Sequence, residues 1–180
     1  SKSFMWVYRS GKYHTDRVII LYEYQKTRKA EHPQKFLEEF HGVCECDAYA
    51  VYEKMVPEGR KTMKGVNYYL NHEKQFCEFL NHGNVPLDNN ATESALRNFC
   101  MHKHTWRLIN TINGAKASAL VYSIVETAKA NGLNPFRYLK FLLTEMMEHE
   151  EDTDYCFIDD LLPWSDSIPD ICKMKNKKEH

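Results

Sequence analysis

The chain has 180 residues, 43% of them hydrophobic and 13% aromatic, with 24 Lys and Arg set against 25 Asp and Glu. That size and apolar content suit one globular unit with a buried core and exclude a disordered polyelectrolyte. A formal net charge of −1 argues against a generic polyanion binder, and no uninterrupted apolar run approaches the roughly 18 residues needed to span a membrane.

Ser1 to Arg9 is polar and aromatic and lacks the apolar stretch of a signal peptide; the serine start reads as a fragment or a processed product. Phe4-Met5-Trp6-Val7-Tyr8-Arg9 is aromatic and β-branched, Ser10-Gly11-Lys12 is a turn, and Arg17 to Tyr24 is a second apolar run, so the two predict a hairpin. Pro33 is expected to open a short helix over Gln34 to Phe40, with Phe36, Leu37 and Phe40 on one face. Gly42 stops it, Val43 to Cys46 reads as a third strand ending at Asp47, and Tyr49, Tyr52 and Met55 suggest a helix behind it. Pro57 to Gly65 is a polar connector, Val66 to Leu80 a further helix, and Asn81 to Asn84 a turn.

A helix is expected from about Asn90 to His104, and a longer one from Gly114 to Asn131. In the latter Ala117, Leu120, Val121, Ile124, Val125 and Ala128 keep a 3.6-residue period, and Gly132 is placed to end it. Asn134-Pro135 then caps and starts a helix to about His149, with Phe136, Leu139, Leu142, Leu143 and Met146 expected inward. Beyond Glu150 the chain is acidic and turn-rich, with Leu161-Leu162-Pro163-Trp164 as an apolar anchor. Hairpin, helix, strand, then helices is the order of an α/β domain with a mixed sheet.

Charge is unevenly distributed. Residues 1–35 carry eight Lys and Arg against three acids, and residues 97–116 carry Arg97, Lys103, Arg107 and Lys116 with no acid. Residues 145–170 hold ten acids and no Lys or Arg. The two basic zones could meet a phosphate backbone with the acidic stretch facing away, or all three are solvated faces. The six cysteines lack the rhythm of a secreted disulfide scaffold and suit reduced thiols of a cytosolic protein. Cys44-Glu45-Cys46 and His102-Lys103-His104 lack the spacing of a zinc finger or ribbon, and on a strand Cys44 and Cys46 read as buried thiols.

Two carboxylates carry the chemical interest. Asp47 closes the third strand, and Glu93 lies near the start of the helix in Leu87-Asp88-Asn89-Asn90-Ala91-Thr92-Glu93-Ser94-Ala95-Leu96-Arg97. A strand-end Asp and a helical Glu are what a site needs to hold a divalent cation against phosphate oxygens. Each has a simpler reading. Asn90-Ala91-Thr92-Glu93 has the spacing of a capping box, and Asp47 suits a turn or a helix cap. Arg97 lies one turn beyond Glu93, placed either for an i,i+4 ion pair or for a phosphate contact.

Cys46-Asp47-Ala48-Tyr49-Ala50-Val51-Tyr52, the Leu87–Arg97 segment, and Gly114 to Ala119 continuing through Ser123 to Pro135 together resemble the insertion-sequence-66 family of bacterial transposases. Arg28 to Pro33 and Asp160 to Trp164 resemble it too, the latter its C-terminal element. The resemblance implies a DDE transposase with a ribonuclease-H-like core, in which two Asp and one Glu hold two Mg2+ ions for attack on phosphodiesters. Carried over, Asp47 is the second acid and Glu93 the third, and Arg97, Lys103, Arg107 and Lys116 face DNA. The implied partners are the element's terminal repeats and target DNA, companion proteins encoded by the element, and further copies in a homo-oligomer, without a membrane.

Three departures from the family pattern set further expectations. The first catalytic Asp belongs to a strand before Phe4. The long helical insertion between second and third acids is absent, since Asp47 and Glu93 are only 46 positions apart. The basic pair expected after the Glu helix is His102-Lys103. The expected layout is an incomplete ribonuclease-H-like core over 1–135, inactive alone, and a helical C-terminal element with its tail over 136–180. The missing strand would leave an open sheet edge beside the hairpin.

Overall fold

A computed structural model of the chain describes residues 4–10, 17–40, 44, 90–101 and 111–174. The expected third strand up to Asp47, and the helices expected after it and over Val66 to Leu80, lie outside the described residues.

Strands β1 (Phe4–Arg9) and β2 (Ile20–Gln25) pair antiparallel in a register running from Phe4 opposite Gln25 to Arg9 opposite Ile20. The hairpin is as expected, although β2 begins at Ile20 rather than Arg17. Ser10 N donates to Ile19 O at 2.9 Å and Ile19 N donates to Ser10 Oγ at 2.8 Å, which carries the pairing one step past the strands. Among the described residues this pair is the whole sheet, so the fold is mixed α/β around a small two-stranded ribbon.

Helix α1 spans Glu31–Phe36 and not the expected Gln34 to Phe40. Pro33 sits inside its first turn, where the N–H that proline lacks would have no helical partner, so the helix can start ahead of it. Pro33 is fully buried, and the Phe36 ring stacks on Tyr8 with centroids 3.8 Å apart. Phe40, expected inward, faces solvent. Cys44, expected as a buried strand thiol, is exposed.

Helices α2 (Asn90–Met101), α3 (Ile112–Ala130) and α4 (Pro135–Glu148) follow. The ends of α3 and α4 are written in their caps. Thr111 Oγ1 accepts from Gly114 N at 3.0 Å, which starts α3 two residues earlier than expected. At the other end Leu133 N donates to Ala128 O and Gly132 N to Lys129 O, a Schellman closure that requires the left-handed backbone Gly132 adopts at φ 76°. Asn134 Oδ1 then accepts from Arg137 N at 3.1 Å and Pro135 takes the first helical position of α4. A one-turn helix α5 (Ile158–Leu161) and a 3-10 turn (Asp170–Cys172) complete the chain.

The inward faces of α3 and α4 differ from those that apolar periodicity predicts. Along α3 the buried residues are Ala119, Ser123, Glu126, Thr127 and Ala128, while Leu120 and Val121 are exposed. The reason lies on the outer edge of β2. Ser123 Oγ accepts from Tyr22 N at 2.8 Å. Thr127 Oγ1 accepts from Ile20 N and donates to Ile20 O, both at 3.0 Å. Asn131 Oδ1 accepts from Val18 N at 3.3 Å and its Nδ2 donates to Val18 O at 2.7 Å. Four helical residues rise about 6 Å and two strand residues about 6.6 Å, so one turn of α3 keeps step with each alternate residue of an antiparallel strand. Three short polar side chains thereby do for β2 what a neighbouring strand would do. This edge of the hairpin is thereby closed; the gap expected toward the strand ending at Asp47 lies outside the described residues.

The apolar interior is in two parts. Ile20, Tyr22, Ala95 and Ala119 form one, with Phe99 and Tyr122 packed on it. Ala128, Leu133, Tyr138, Ile168 and Cys172 form the other, with Ile124 and Phe141 against it. Tyr138 is the buried residue of α4, whereas Phe136, Leu143 and Met146, expected inward, face solvent. The apolar anchor behaves as expected: Leu161 is buried, its carbonyl accepts from Tyr138 Oη at 2.7 Å, and the Arg17 guanidinium lies over the Trp164 ring at 5.9 Å.

Candidate functional site

Glu93 and Arg97 both lie on α2 and both are exposed. Ala95, midway between them, is buried, and a residue two positions away along a helix points to the opposite side. The burial of Ala95 therefore turns Glu93 and Arg97 outward together. Asn90 is the first described residue of α2, and Glu93 lies in its first turn. Among the described residues no ion pair joins Glu93 to Arg97, so the simple i,i+4 reading of Arg97 has no contact behind it.

Buried contacts hold α2 in this orientation. Tyr22 Oη donates to Ala95 O at 2.8 Å, inside the aromatic cluster that Tyr22 makes with Phe99 and Tyr122 at centroid distances of 5.7 Å each. Asn98 Nδ2 donates to Glu126 Oε2 at 3.1 Å, and Lys129 Nζ donates to Glu126 Oε1 at 2.7 Å. Glu126 is buried while Lys129 is partly in solvent and Asn98 is exposed, so the carboxylate is neutralised and hydrogen-bonded from the rim. Burial, and next the Glu126 carboxylate nearby, push the Tyr22 phenol well above its ordinary value, so it stays a hydrogen-bond donor through the neutral range.

Lys116 is exposed on the second turn of α3, beside a cleft of about 360 Å3 that it lines with Tyr24, Lys26, Lys29, His32 and Ile112. Three lysines, two from the loop after β2 and one from α3, thus border one concavity. Glu31, also on its wall, pairs with Lys29 at 3.4 Å with both side chains mostly exposed, an interaction that water screens and an incoming anion can exchange. Thr27 Oγ1 and His32 Nε2 are 2.7 Å apart at the same wall.

Of the residues singled out from sequence, Glu93 and Arg97 share one helical face and Lys116 lines the cleft, while Asp47, Lys103 and Arg107 lie outside the described residues. Among the described residues no cluster of three His, Cys, Asp or Glu is placed to hold a metal ion. The Glu93 carboxylate, exposed in a first helical turn, is the hard oxygen donor that Mg2+ takes, so the donor chemistry fits that ion. Sequence reasoning misses Tyr22, Asn98 and Glu126, which orient α2. A buried glutamate in an otherwise small and apolar helical stretch is the signal that could find them. It also misses Lys26 and Lys29 as individuals, placing them only within the basic first 35 residues.

Comparisons with known proteins bear out the family resemblance. A family model described as Transposase IS66 family matches residues 1–63 and 53–117, and one described as IS66 C-terminal element matches residues 123–164. Three proteins of Sinorhizobium fredii (strain NBRC 101917 / NGR234), each described as uncharacterized, are similar. The y4hP protein is 28% identical over 110 residues, 61% of this chain and 19% of the relative. The y4jD protein is 24% identical over 102 residues, 57% of this chain and 20% of the relative. The y4qI protein is 26% identical over 105 residues, 58% of this chain and 19% of the relative. The chain thus aligns with about a fifth of the length of these curated relatives. No solved structure matches, and no described helix is long and apolar enough to cross a membrane.

Proposed function

The chain belongs to the IS66 transposase family, and on that premise we propose that it is a transposase-derived DNA strand-transfer domain with a ribonuclease-H-like core, acting in the cytoplasm on the ends of a mobile element. The observation that carries this reading is the presentation of α2: Glu93 and Arg97 face outward, while the buried Tyr22 bond to Ala95 O and the Asn98 bond to Glu126 hold the helix. Such a helix offers a carboxylate for a divalent cation and, one turn on, a guanidinium for a phosphate oxygen.

Asp47 and Glu93 would be the chain's own ligands, and bound Mg2+ would supply the Lewis acidity that activates an attacking oxygen and stabilises a leaving one. The protein's part is orientation. Tyr22 and Asn98 hold the helix, Glu126 fixes Asn98, and Arg97 neutralises backbone charge beside the acid. Lys103 and Arg107 would extend the basic surface along the duplex. The family match in two overlapping stretches, 1–63 and 53–117, supports a shortened connection between the two acids. The resemblance locates two of the family's three acids within Ser1–His180, so this stretch by itself is proposed to bind DNA without cutting it. Companion proteins of the element would act with it.

Non-catalytic DNA binding is the second reading, favoured by the cleft that Lys26, Lys29 and Lys116 border. Titration of labelled duplex DNA over a salt series tests the two together. Binding should fall steeply with salt, and changing the three lysines to alanine should flatten the log–log slope by about one for each phosphate no longer neutralised. Glu93→Gln should leave binding intact. Cleavage of terminal-repeat DNA in Mg2+, abolished by Glu93→Gln, would overturn the inactivity of this stretch, and absence of low-salt binding would end both readings.

A further inference from the structure

Helix α4 is apolar on two sides. One, through Tyr138 and Phe141, is spent on the interior. The other is a stripe of Phe136, Leu143 and Met147, exposed by 78%, 63% and 76%, with Met146 at its margin at 42%. Residues spaced i, i+7 and i+11 form one continuous row along a helix, the pattern of a helix–helix seam. Large apolar side chains aligned this way seldom stay in water without an occupant.

The charges flanking the stripe say which occupant. Beside the stripe the first half of α4 carries Arg137 and Lys140 and its second half Glu148, with no Lys or Arg from 145 to 170; Glu145, nine residues from Phe136, is on the opposite side. Arg137 and Glu148 lie on the same flank of the stripe, eleven residues apart, hence separated by about 20° around the axis. In an antiparallel helix pair, like flanks face each other. A second α4 laid antiparallel across the stripe therefore sets the Phe136 of each copy against the other's Met147 and Leu143, and the basic first half of each against the acidic second half of the other. Helix dipoles oppose favourably in the same arrangement. A parallel copy would set that charged flank against the apolar flank of Leu139, Leu142 and Met146 and leave its charges unpaired.

We propose that the outer face of α4 is a two-fold self-association surface, occupied by the α4 of a second copy of this chain in antiparallel register. The proposal does not depend on the DNA reading: it goes beyond it and stands on the stripe and its charges alone. A contact limited to one helix of 14 residues falls short of the roughly 1,200 Å2 of a standard stable interface, so the dimer is concentration-dependent and not permanent.

Sedimentation of the full chain over a concentration series tests it. The wild type should show a dimer fraction that rises with concentration, and Leu143→Gln should abolish it. Since Leu143 is already in water, the circular-dichroism melt of that variant should be unchanged. Glu148→Lys should weaken association at least tenfold, and Arg137→Glu added to it should recover most of the loss although it gives up the Arg137 bond to Ile171 O, which a general loss of solubility would not do. A chain that remains monomeric throughout the series, a dimer untouched by Leu143→Gln, or a double reversal no better than the single change would each overturn the proposal.

Discussion

Helix α3 serves two interiors, and it serves them by different means. Over its middle and final turns it meets β2 with Ser123 and Thr127, and its cap Asn131 meets Val18 just ahead of the strand, each bonded to backbone. Near its end it gives Ala128 to an apolar cluster closed by Leu133, Tyr138, Ile168 and Cys172. There the closing segment is tied by backbone bonds, Asn134 N to Cys172 O at 2.7 Å and Met174 N to Gly132 O at 2.8 Å. The first interface puts polar atoms inside and satisfies them; the second keeps its side chains mostly apolar and is bonded through main chain and the buried Tyr138 hydroxyl. An interface of the first kind has higher stakes, because each lost side chain strands a buried backbone group rather than opening a small void.

The largest effect should therefore fall on Thr127. Thr127→Val keeps the shape and removes the hydroxyl, leaving both Ile20 N and Ile20 O without their buried partner. Two stranded groups at about 1–3 kcal/mol each predict a loss of roughly 3 kcal/mol in urea unfolding, against well under 1 kcal/mol for an exposed Thr→Val. A loss no larger than that of the exposed control would show that water replaces the hydroxyl and that the interface is not sealed.

That contrast also explains what the sequence reveals and what it hides. The ends of α3 and α4 are legible because their caps are local: Gly132, Asn134 and Pro135 act within a turn of themselves. Their inward faces are not. Counting apolar residues points α3 toward Leu120 and Val121, since the period of a helix records hydrophobicity and cannot record a strand edge in need of partners. The available signal is the row Ala119, Ser123, Thr127 and Asn131, small or short polar residues one turn apart, which permit a backbone to come close. In α4 two apolar rows compete, and only tertiary contact through Tyr138 selects one. At the candidate site Glu93 and Arg97 are legible from motif and resemblance, whereas Glu126 and Asn98 are not, because their meaning lies in the pairing of two helices 28 positions apart.

Alkaline pH should separate the two interiors further. Burial, and then the neighbouring Cys172, push the Tyr138 phenol up from 10.0 to about 12, and Tyr22 is pushed higher still. A raised folded value favours the protonated native state, so its contribution is complete below pH 10 and is lost as pH rises toward 12. Alkaline unfolding should accordingly steepen above pH 10. Tyr138→Phe should cost about 1–2 kcal/mol at neutral pH, for its bond to Leu161 O, and should make the remaining alkaline slope shallower. An unchanged slope in that variant would assign the whole dependence to Tyr22 and to the sheet side of α3.

The smallest effect tests whether a short distance implies a strong interaction. Lys173 Nζ lies 2.6 Å from Asp170 Oδ1, on the segment that closes the second interior. The lysine's bond and charge hold the Asp170 carboxyl below its usual range, and the aspartate raises Lys173 in return. Both groups stand in water, however, so the attraction is screened and is offset by the entropy of fixing two side chains. The segment's hold comes instead from Cys172 O and Met174 N, which Asp170→Asn leaves untouched. That variant should unfold at the wild-type midpoint in low and in high salt alike. A salt-dependent drop in the midpoint would place the pair among the contacts that keep the closing segment in place, and the second interior would then resemble the first in relying on side-chain polar bonds.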